Sequence, residues 1–414
     1  MQTTQPRDYL FALIDGGGTV PPELGVVRRL VDRGHRVTVL GERSMERQIA
    51  AAGASAEFFT ERTGEIDDWR SRGPMALARN MADTMLAGPV AGAAADTSAV
   101  ISATSPDLVV TSSFAIGAMI SAEARGLPFD VLVPNAYPFP AEGMPPFGAG
   151  LAPMAGPVGR LRDRAVGAGA TRLIDRYALP RINTARRDYG LAPVAHTWDQ
   201  AVRASRLLVL TSPSFDFPAE LPANARYVGP VLDDPDWAVG SAWTPPEGGD
   251  PLVLVALSST FQNQGECLQR VADALGALPV RGFVTTGPAV APDALAAPPN
   301  VTVVAAAPHR EVMRHARLVV THGGHGTVMK ALAAGVPLVI MHHGRDQADN
   351  AARVITRGAG AAISRGASPR RISRAIAAML ANDDARRAAA EFGRVITRHA
   401  DSSALISELE RPLP

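Results

Sequence analysis

The stretch "RLVVTHGGHGTVMKALAAGVPLVIMHHGRDQADNA", Arg317 to Ala351, decides the fold. "RLVVT" is a short apolar run of the kind that forms a strand buried on both faces. "HGGHGT" (His322 to Thr327) reads as a turn. "VMKALAAG" reads as a helix that stops at Gly335, with Pro337 beyond it, and "PLVIM" is the next strand. Strand, glycine-rich turn, helix and strand in this order make a unit of a doubly wound parallel sheet. The turn places the backbone N–H groups of Gly324, His325, Gly326 and Thr327 at a helix amino end. Such an end carries roughly half a positive charge and takes phosphate readily. His322 and Thr327 add side-chain donors.

The same unit opens the chain. "YLFALI" (Tyr9 to Ile14) reads as a strand, followed by the turn "DGGG" and a helix over "VPPELGVVRRLVDRG". Pro21 and Pro22 suit a first helical turn, where a missing N–H is no loss. Leu24, Val27, Leu30 and Val31 share one face, and "RVTVL" (Arg36 to Leu40) is the second strand. Further strands are predicted at Asp107–Thr111, Phe129–Pro134 and Arg206–Ser212. Gly229–Pro251 carries turn residues throughout and no periodicity, which predicts an interdomain linker at 233–251. Strands resume with "LVLVAL" (Leu252 to Leu257), "RGFVTT", "VTVVAA" and "AGAAI", and the tail "SPRRISRAIAAMLANDDARRAAAEFGRVITRHA" reads as helix. The expected organisation is an α/β chain of two doubly wound domains, 1–232 and 252–396. Asn135 to Gly159, rich in Pro, Gly, Met and Phe, is too long for a plain connection and is either a functional or a mobile loop.

Composition narrows the function classes. With 414 residues, 46% apolar, the chain buries large cores. A formal net charge of +1, with both signs interspersed, points to neither nucleic acid nor an anionic membrane. The single Cys267 leaves no internal disulfide and no Cys-rich zinc site. No signal peptide is read at the amino end, and Ala87–Val100 is too polar to span a bilayer. A cytoplasmic location is expected.

A dinucleotide site is one alternative. "GGHGTV" lacks a third glycine, however, with Met329 in its place, and Asp346 is followed by Gln347 and Asn350 on a new helix. In the first domain Gly16 and Gly18 fit the fingerprint, but Pro21 takes the third position. Lys330 fits no Walker spacing. "DPD" (Asp234 to Asp236) looks like an Asp-x-Asp metal motif but sits in the linker.

"THGGHGT" followed by "GVPLVIMHHGRDQADNAARV" resembles the donor signature of family 1 glycosyltransferases with the GT-B fold, the group that decorates natural products. "LVLVALSSTFQNQ", "AAAPHREVMRHARLVVTH" and "VRRLVDRGHRVTVL" resemble other segments of that family, in order. The resemblance implies two Rossmann-like domains facing across a cleft, with a terminal helix at about 397–414 packing back on the first. It implies that His322, Gly324, Gly326 and Thr327 hold the donor diphosphate and that Ser259 and Thr260 close over it. Ala307 and His309 would meet base and ribose, and Asp346 and Gln347 the sugar hydroxyls. The implied reaction is inverting transfer from a TDP- or UDP-sugar to a small apolar acceptor, without a cofactor or metal. Asn135, Tyr137, Phe139, Met144, Phe147 and Met154 suggest an acceptor wall, or equally a loop packing on its own domain. The expected partners are donor and acceptor, with a homodimer as the one protein partner considered. An NAD(P)-linked oxidoreductase and a non-catalytic, transferase-like accessory protein are the competing readings.

One departure stands out. The family places a general base, usually histidine, where this chain has Thr19, and threonine is a poor base near neutral pH. The supporting aspartate is replaced by Ser112 and Ser113. Asp15 and Glu23 are the nearest other candidates. Each also has a plain structural reading, as a turn residue and as a helix amino-end charge. Otherwise the acceptor needs little deprotonation, or transfer has been lost. The intact donor motif argues against loss. His35, at a helix–strand junction, reads as a structural cap, and His342 and His343 follow a strand end.

Overall fold

The computed structural model describes residues 5–61, 67–240, 243–257 and 259–412. Strands β1 (Asp8–Ala12), β2 (Arg36–Gly41), β3 (Ser55–Phe58), β4 (Leu108–Ser112), β5 (Phe129–Val133), β6 (Arg206–Val209) and β7 (Ala225–Tyr227) form one sheet in the order β3-β2-β1-β4-β5-β6-β7. Strands β8 (Leu252–Ala256), β9 (Arg281–Thr285), β10 (Val301–Val304), β11 (Ala316–Thr321), β12 (Leu338–Ile340) and β13 (Gly360–Ala362) form a second, ordered β10-β9-β8-β11-β12-β13. Every pairing within these sheets is parallel.

Alternate residues of the central strands enter opposite cores, as the two-residue period requires. Leu10 and Ala12 join one cluster, and Tyr9, Phe11 and Leu13 the other. Leu252, Leu254 and Ala256 divide from Val253, Val255 and Leu257 in the same way. These uninterrupted apolar strands are what made the doubly wound reading possible, and the two sheets bear it out.

Strand order reverses between β1 and β4 in the first sheet and between β8 and β11 in the second. Loops leaving such neighbours diverge to opposite faces and open a crevice beyond the strands' carboxyl ends. The turn after β1 and the Ser112–Ser113 step after β4 frame the first crevice. Ser259–Thr260 and His322–Thr327 frame the second. The two face each other: a Cβ on Gly17 would fall 2.3 Å from Thr260 Cγ2, and one on Gly150 2.7 Å from Ala348 Cβ.

The tail, read as helix from its sequence, divides in two. Asn382 Oδ1 accepts the Ala385 N–H at 2.9 Å, starting a new helix, Asp383–Ala400, after Pro369–Leu380. Residues 397–400 still belong to that helix, which packs on His325–Ala333. A last helix, Ala404–Glu410, buries Leu405, Ile406 and Leu409 in the core beneath β1, and Tyr9 Oη donates to Leu409 O at 3.1 Å.

Other elements differ from the sequence reading. Strands β3 and β7 lie at sheet edges, half in solvent, so neither has the apolar run that marks a buried strand. Helix Gly156–Asp188 replaces the end of the expected 135–159 loop and continues far past it. It is rich in Arg and Gly, mostly solvated, and contains Pro180, so its sequence has no clean apolar stripe. The linker holds a short helix, Asp236–Val239.

Candidate functional site

The β11 turn is shaped by two close contacts. Gly323 has φ +95°, and a Cβ there would fall 2.8 Å from Ile340 Cγ2. A Cβ on Gly324 would fall 2.5 Å from His322 Nε2. Gly324 caps helix His325–Ala333 with no side-chain partner, so the N–H groups of the first turn are left for a ligand. A Cβ on Gly326 would meet no described atom within 4 Å, which keeps that approach open. Burial drives the His322 imidazole down to about 3, with Arg345 and His343 adding to the effect, so the ring is neutral. Neither His325 ring nitrogen has a hydrogen-bond partner among the described residues, and the ring stands edge-on to Phe215. His309 Nε2 lies 2.9 Å from Thr285 Oγ1 beside the buried Ala307.

Asp346 lines the cleft, and its Oδ2 accepts from Asn350 Nδ2 at 2.6 Å. Gln347 lies behind it, 2% exposed. Its Oε1 accepts the N–H groups of His343 (2.6 Å) and Gly344 (3.1 Å), and its Nε2 donates to Gln262 Oε1 (2.9 Å). Both ends of that amide are occupied in this conformation. Arg345, with φ +57°, reaches across the cleft. Its Nε is 3.1 Å from Asp68 Oδ2 and its Nη1 donates to Thr260 Oγ1 at 2.9 Å. Asp68 also accepts from Gln262 Nε2 at 3.3 Å, and Trp69 stands edge-on to Phe261. Sequence reasoning missed Asp68, Gln262 and Arg345 because nothing local announces a contact between residues 277 positions apart.

A cavity of about 1630 Å³ fills the space between the sheets. Its wall is largely apolar, including Met81, Phe139, Met144, Phe147 and Ile174, with Arg160, Asp163 and Arg164 from helix Gly156–Asp188. Asn135 and Met154 also line it, as do His342 and His343. Tyr137 does not: it is fully buried, edge-on to Phe139, in its own domain's core. The loop is neither free nor packed only on itself, because Asp349 accepts the N–H groups of Gly148 (2.8 Å) and Gly150 (3.2 Å) from across the cleft. Burial raises the Asp349 carboxyl to about 6.

The candidates opposite the β11 turn separate into two sets. Thr19 and Ser113 line the cavity, whereas Glu23 and Ser112 are fully buried behind them. Asp15 is occupied as a turn residue. Its Oδ1 accepts the Gly17 N–H at 3.0 Å, and its Oδ2 accepts from Ser44 Oγ at 2.6 Å. His35 bridges the Arg7 N–H and Glu410, as a structural residue does. The "DPD" carboxylates are taken by cations: Asp234 by Lys330 at 2.7 Å, and Asp236 by Arg28 at 3.0 Å. Asp233, just before them, pairs with Arg29 at 2.8 Å.

The buried imidazoles set a pH limit. Burial is the largest influence on each, holding His309 and His343 at about 4 and His322 at about 3, against 6.5 when free. The unfolded chain therefore takes up protons first, so stability present above pH 6.5 is lost as pH falls toward 4. Thermal unfolding should come at a lower temperature at pH 5 than at pH 7, and replacing His343 by Phe should reduce that difference.

A family model described as UDP-glucoronosyl and UDP-glucosyl transferase matches residues 192–395. The 4'-demethylrebeccamycin synthase of Lentzea aerocolonigenes is 29% identical over 385 residues, spanning 90% of this chain and 91% of that protein. The oleandomycin glycosyltransferase of Streptomyces antibioticus is 28% identical over 357 residues, spanning 84% and 77%. The solved structure of the calicheamicin glycosyltransferase superposes with a TM-score of 0.73 at 25% identity, covering 98% of each chain. By its two facing parallel sheets, the family-model match over its second half and these likenesses along most of its length, the chain is a glycosyltransferase with the GT-B fold.

Proposed function

We propose that the protein transfers a hexosyl or deoxyhexosyl group from a TDP- or UDP-sugar to a small, apolar natural-product acceptor, with inversion at the anomeric carbon. One observation carries this reading. A helix amino end beside His322 follows β11, and Asp346, twenty-four residues on, lines a large apolar cavity walled by residues of both domains. Donor and acceptor on opposite walls suit a single in-line displacement, which inverts. The N–H groups of the turn, with His322 and Thr327, meet the charge that develops on the departing diphosphate, so no metal is called on. In this reading Ser259 and Thr260 close over the diphosphate, and Ala307 and His309 meet the base and ribose. Domain limits near 232 and 252 follow from the last strand of the first sheet and the first strand of the second.

Ligand-induced stabilisation by TDP or UDP, and none by NADH, is the first test. Stabilisation by NADH alone overturns the reading. Asp346→Ala tests the sugar contact. Loss of a hydrogen bond to a charged carboxylate, about 1.5–3 kcal/mol, should lower kcat/KM for the nucleotide sugar roughly 10- to 100-fold while TDP affinity stays near wild type. Equal loss of both would remove Asp346 from the sugar.

A further inference from the structure

Residues 145–151 run along the cavity with neither helix nor strand, and Pro145, Pro146, Phe147, Gly148 and Ala149 line it. Among the described residues, only two hydrogen bonds reach this segment from outside it, and both come from one side chain across the cleft. Asp349 Oδ2 accepts the Gly148 N–H at 2.8 Å, and Asp349 Oδ1 accepts the Gly150 N–H at 3.2 Å. Gly148 (φ +89°) and Gly150 (φ +63°) are both left-handed, which lets alternate N–H groups of a loop converge on one anion. The same helix, Gln347–Thr356, meets the wall at two more places. Ala348 packs against Gly150, and Arg353 Nη2 lies 3.8 Å from Met144 Sδ.

Asp349 is buried and does not line the cavity. A buried carboxylate needs hydrogen-bond donors, and here they come from the cavity wall and not from its own helix. Bonds to an ionised acceptor are also stronger than bonds to a neutral one. Phe147 sits between Pro145 and Pro146, whose φ is fixed, and the held Gly148. Little freedom is left to it while the carboxylate is in place.

We propose that Asp349 is the positioning residue of the acceptor wall: it fixes Phe147 from across the cleft and so sets how tightly an apolar acceptor is held. This rests on the sugar-transfer reading above, which puts the acceptor in this cavity. Asp349 touches no substrate and acts through the wall. Without its carboxylate, residues 145–151 gain conformational freedom that acceptor binding must remove again, which weakens the acceptor and leaves the donor alone. Asp346, immediately before the same helix, lines the cavity itself. One short stretch of chain thus serves both substrates, and the two carboxylates should separate in measurement, Asp346 on the sugar donor and Asp349 on the acceptor.

The test uses the full chain, the isosteric Asp349→Asn, which keeps one carbonyl acceptor and turns an N–H toward the other amide, and Asp349→Ala. Hydrogen–deuterium exchange of the Gly148 and Gly150 amides should quicken roughly 10-fold or more in Asp349→Asn, and further in Asp349→Ala, while both sheets exchange as in the wild type. Wild-type exchange of these amides in both variants overturns the proposal. Acceleration spread through both sheets also overturns it, because the carboxylate would then hold the fold and not the wall. Acceptor handling is read with 4-methylumbelliferone, using TDP-glucose and UDP-glucose as donors. In Asp349→Asn the KM for 4-methylumbelliferone should rise about 10-fold or more, with kcat within about threefold and TDP affinity within about twofold of wild type. A lower kcat at unchanged KM, or an equal loss of TDP affinity, contradicts the assigned role. Phe147→Ala should raise the same KM, and the double variant should be no worse than the worse single one. Additive losses would detach Asp349 from Phe147 and sink the proposal. If the wild type binds neither TDP nor UDP, the sugar-transfer reading fails. If it binds TDP but neither binds nor glycosylates 4-methylumbelliferone, the acceptor class fails. In both cases exchange at Gly148 and Gly150 alone decides on Asp349.

Discussion

Replacing His322 by alanine is expected to lower kcat roughly 100- to 1000-fold, about 3–4 kcal/mol of barrier, while TDP still binds within about tenfold of wild type. The ring stands at the end of β11, held over Gly324 with Thr321 Oγ1 at 3.4 Å from its Nδ1. Its burial lowers it to about 3, so it is uncharged throughout the working pH range. A neutral imidazole offers one N–H without first having to be desolvated as a cation. It is therefore better matched to the diphosphate as charge accumulates than to the donor at rest, and its loss should fall on kcat more than on binding. For the same reason the pH profile should show no His322 ionisation between pH 5 and 8. A variant with wild-type kcat, or one that loses TDP affinity and turnover equally, would contradict this role.

How much of this was legible in the sequence depended on range. The His322–Thr327 turn could be read because strand, turn and helix are written consecutively, and the glycines answer contacts a few residues away. The resemblance to a glycosyltransferase rests on that local density together with three further segments, spread over both domains and in order. Strands β3 and β7 were invisible because half of each faces solvent. Helix Gly156–Asp188 was missed because its inner surface is shared between cavity and core, so it shows no single apolar stripe. The cross-cleft contacts of Asp68 with Arg345 and of Asp349 with the Gly148 and Gly150 amides join segments that only the tertiary fold brings together. Tyr137 illustrates the limit in one residue: an aromatic in a loop beside a cavity reads as a wall, yet it is turned into the core. Glu23 shows the converse. In sequence it is an ordinary first-turn acid, and only its complete burial without partners sets it apart.

The largest stability effect is expected at Asp216, the residue that joins the two walls. It follows β6, and its carboxylate is fully buried. It accepts from the Tyr137 N–H (2.7 Å), the Phe217 N–H (2.9 Å), Tyr227 Oη (3.0 Å) and Arg353 Nη2 (2.7 Å). Arg353 comes from helix Gln347–Thr356 in the other domain, which also carries Gln347 and Asp349, and its guanidinium lies over the Phe217 ring. One carboxylate thus ties the segment leading into the cavity wall to the helix that begins just after Asp346. Asp216→Ala leaves a buried cation, two buried N–H groups and the Tyr227 hydroxyl without this partner, and breaking such a buried pair typically costs about 3–5 kcal/mol. For a chain of this length that is a fall in Tm of about 3–6 °C. The paired substitution Asp216→Leu with Arg353→Met removes both charges and should cost less than Asp216→Ala alone, because the penalty lies in the uncompensated charge rather than in the lost attraction. If the pair joins the domains, Asp216→Ala should also split one calorimetric transition into two. A single transition at the wild-type temperature would show that the domains are held by other contacts.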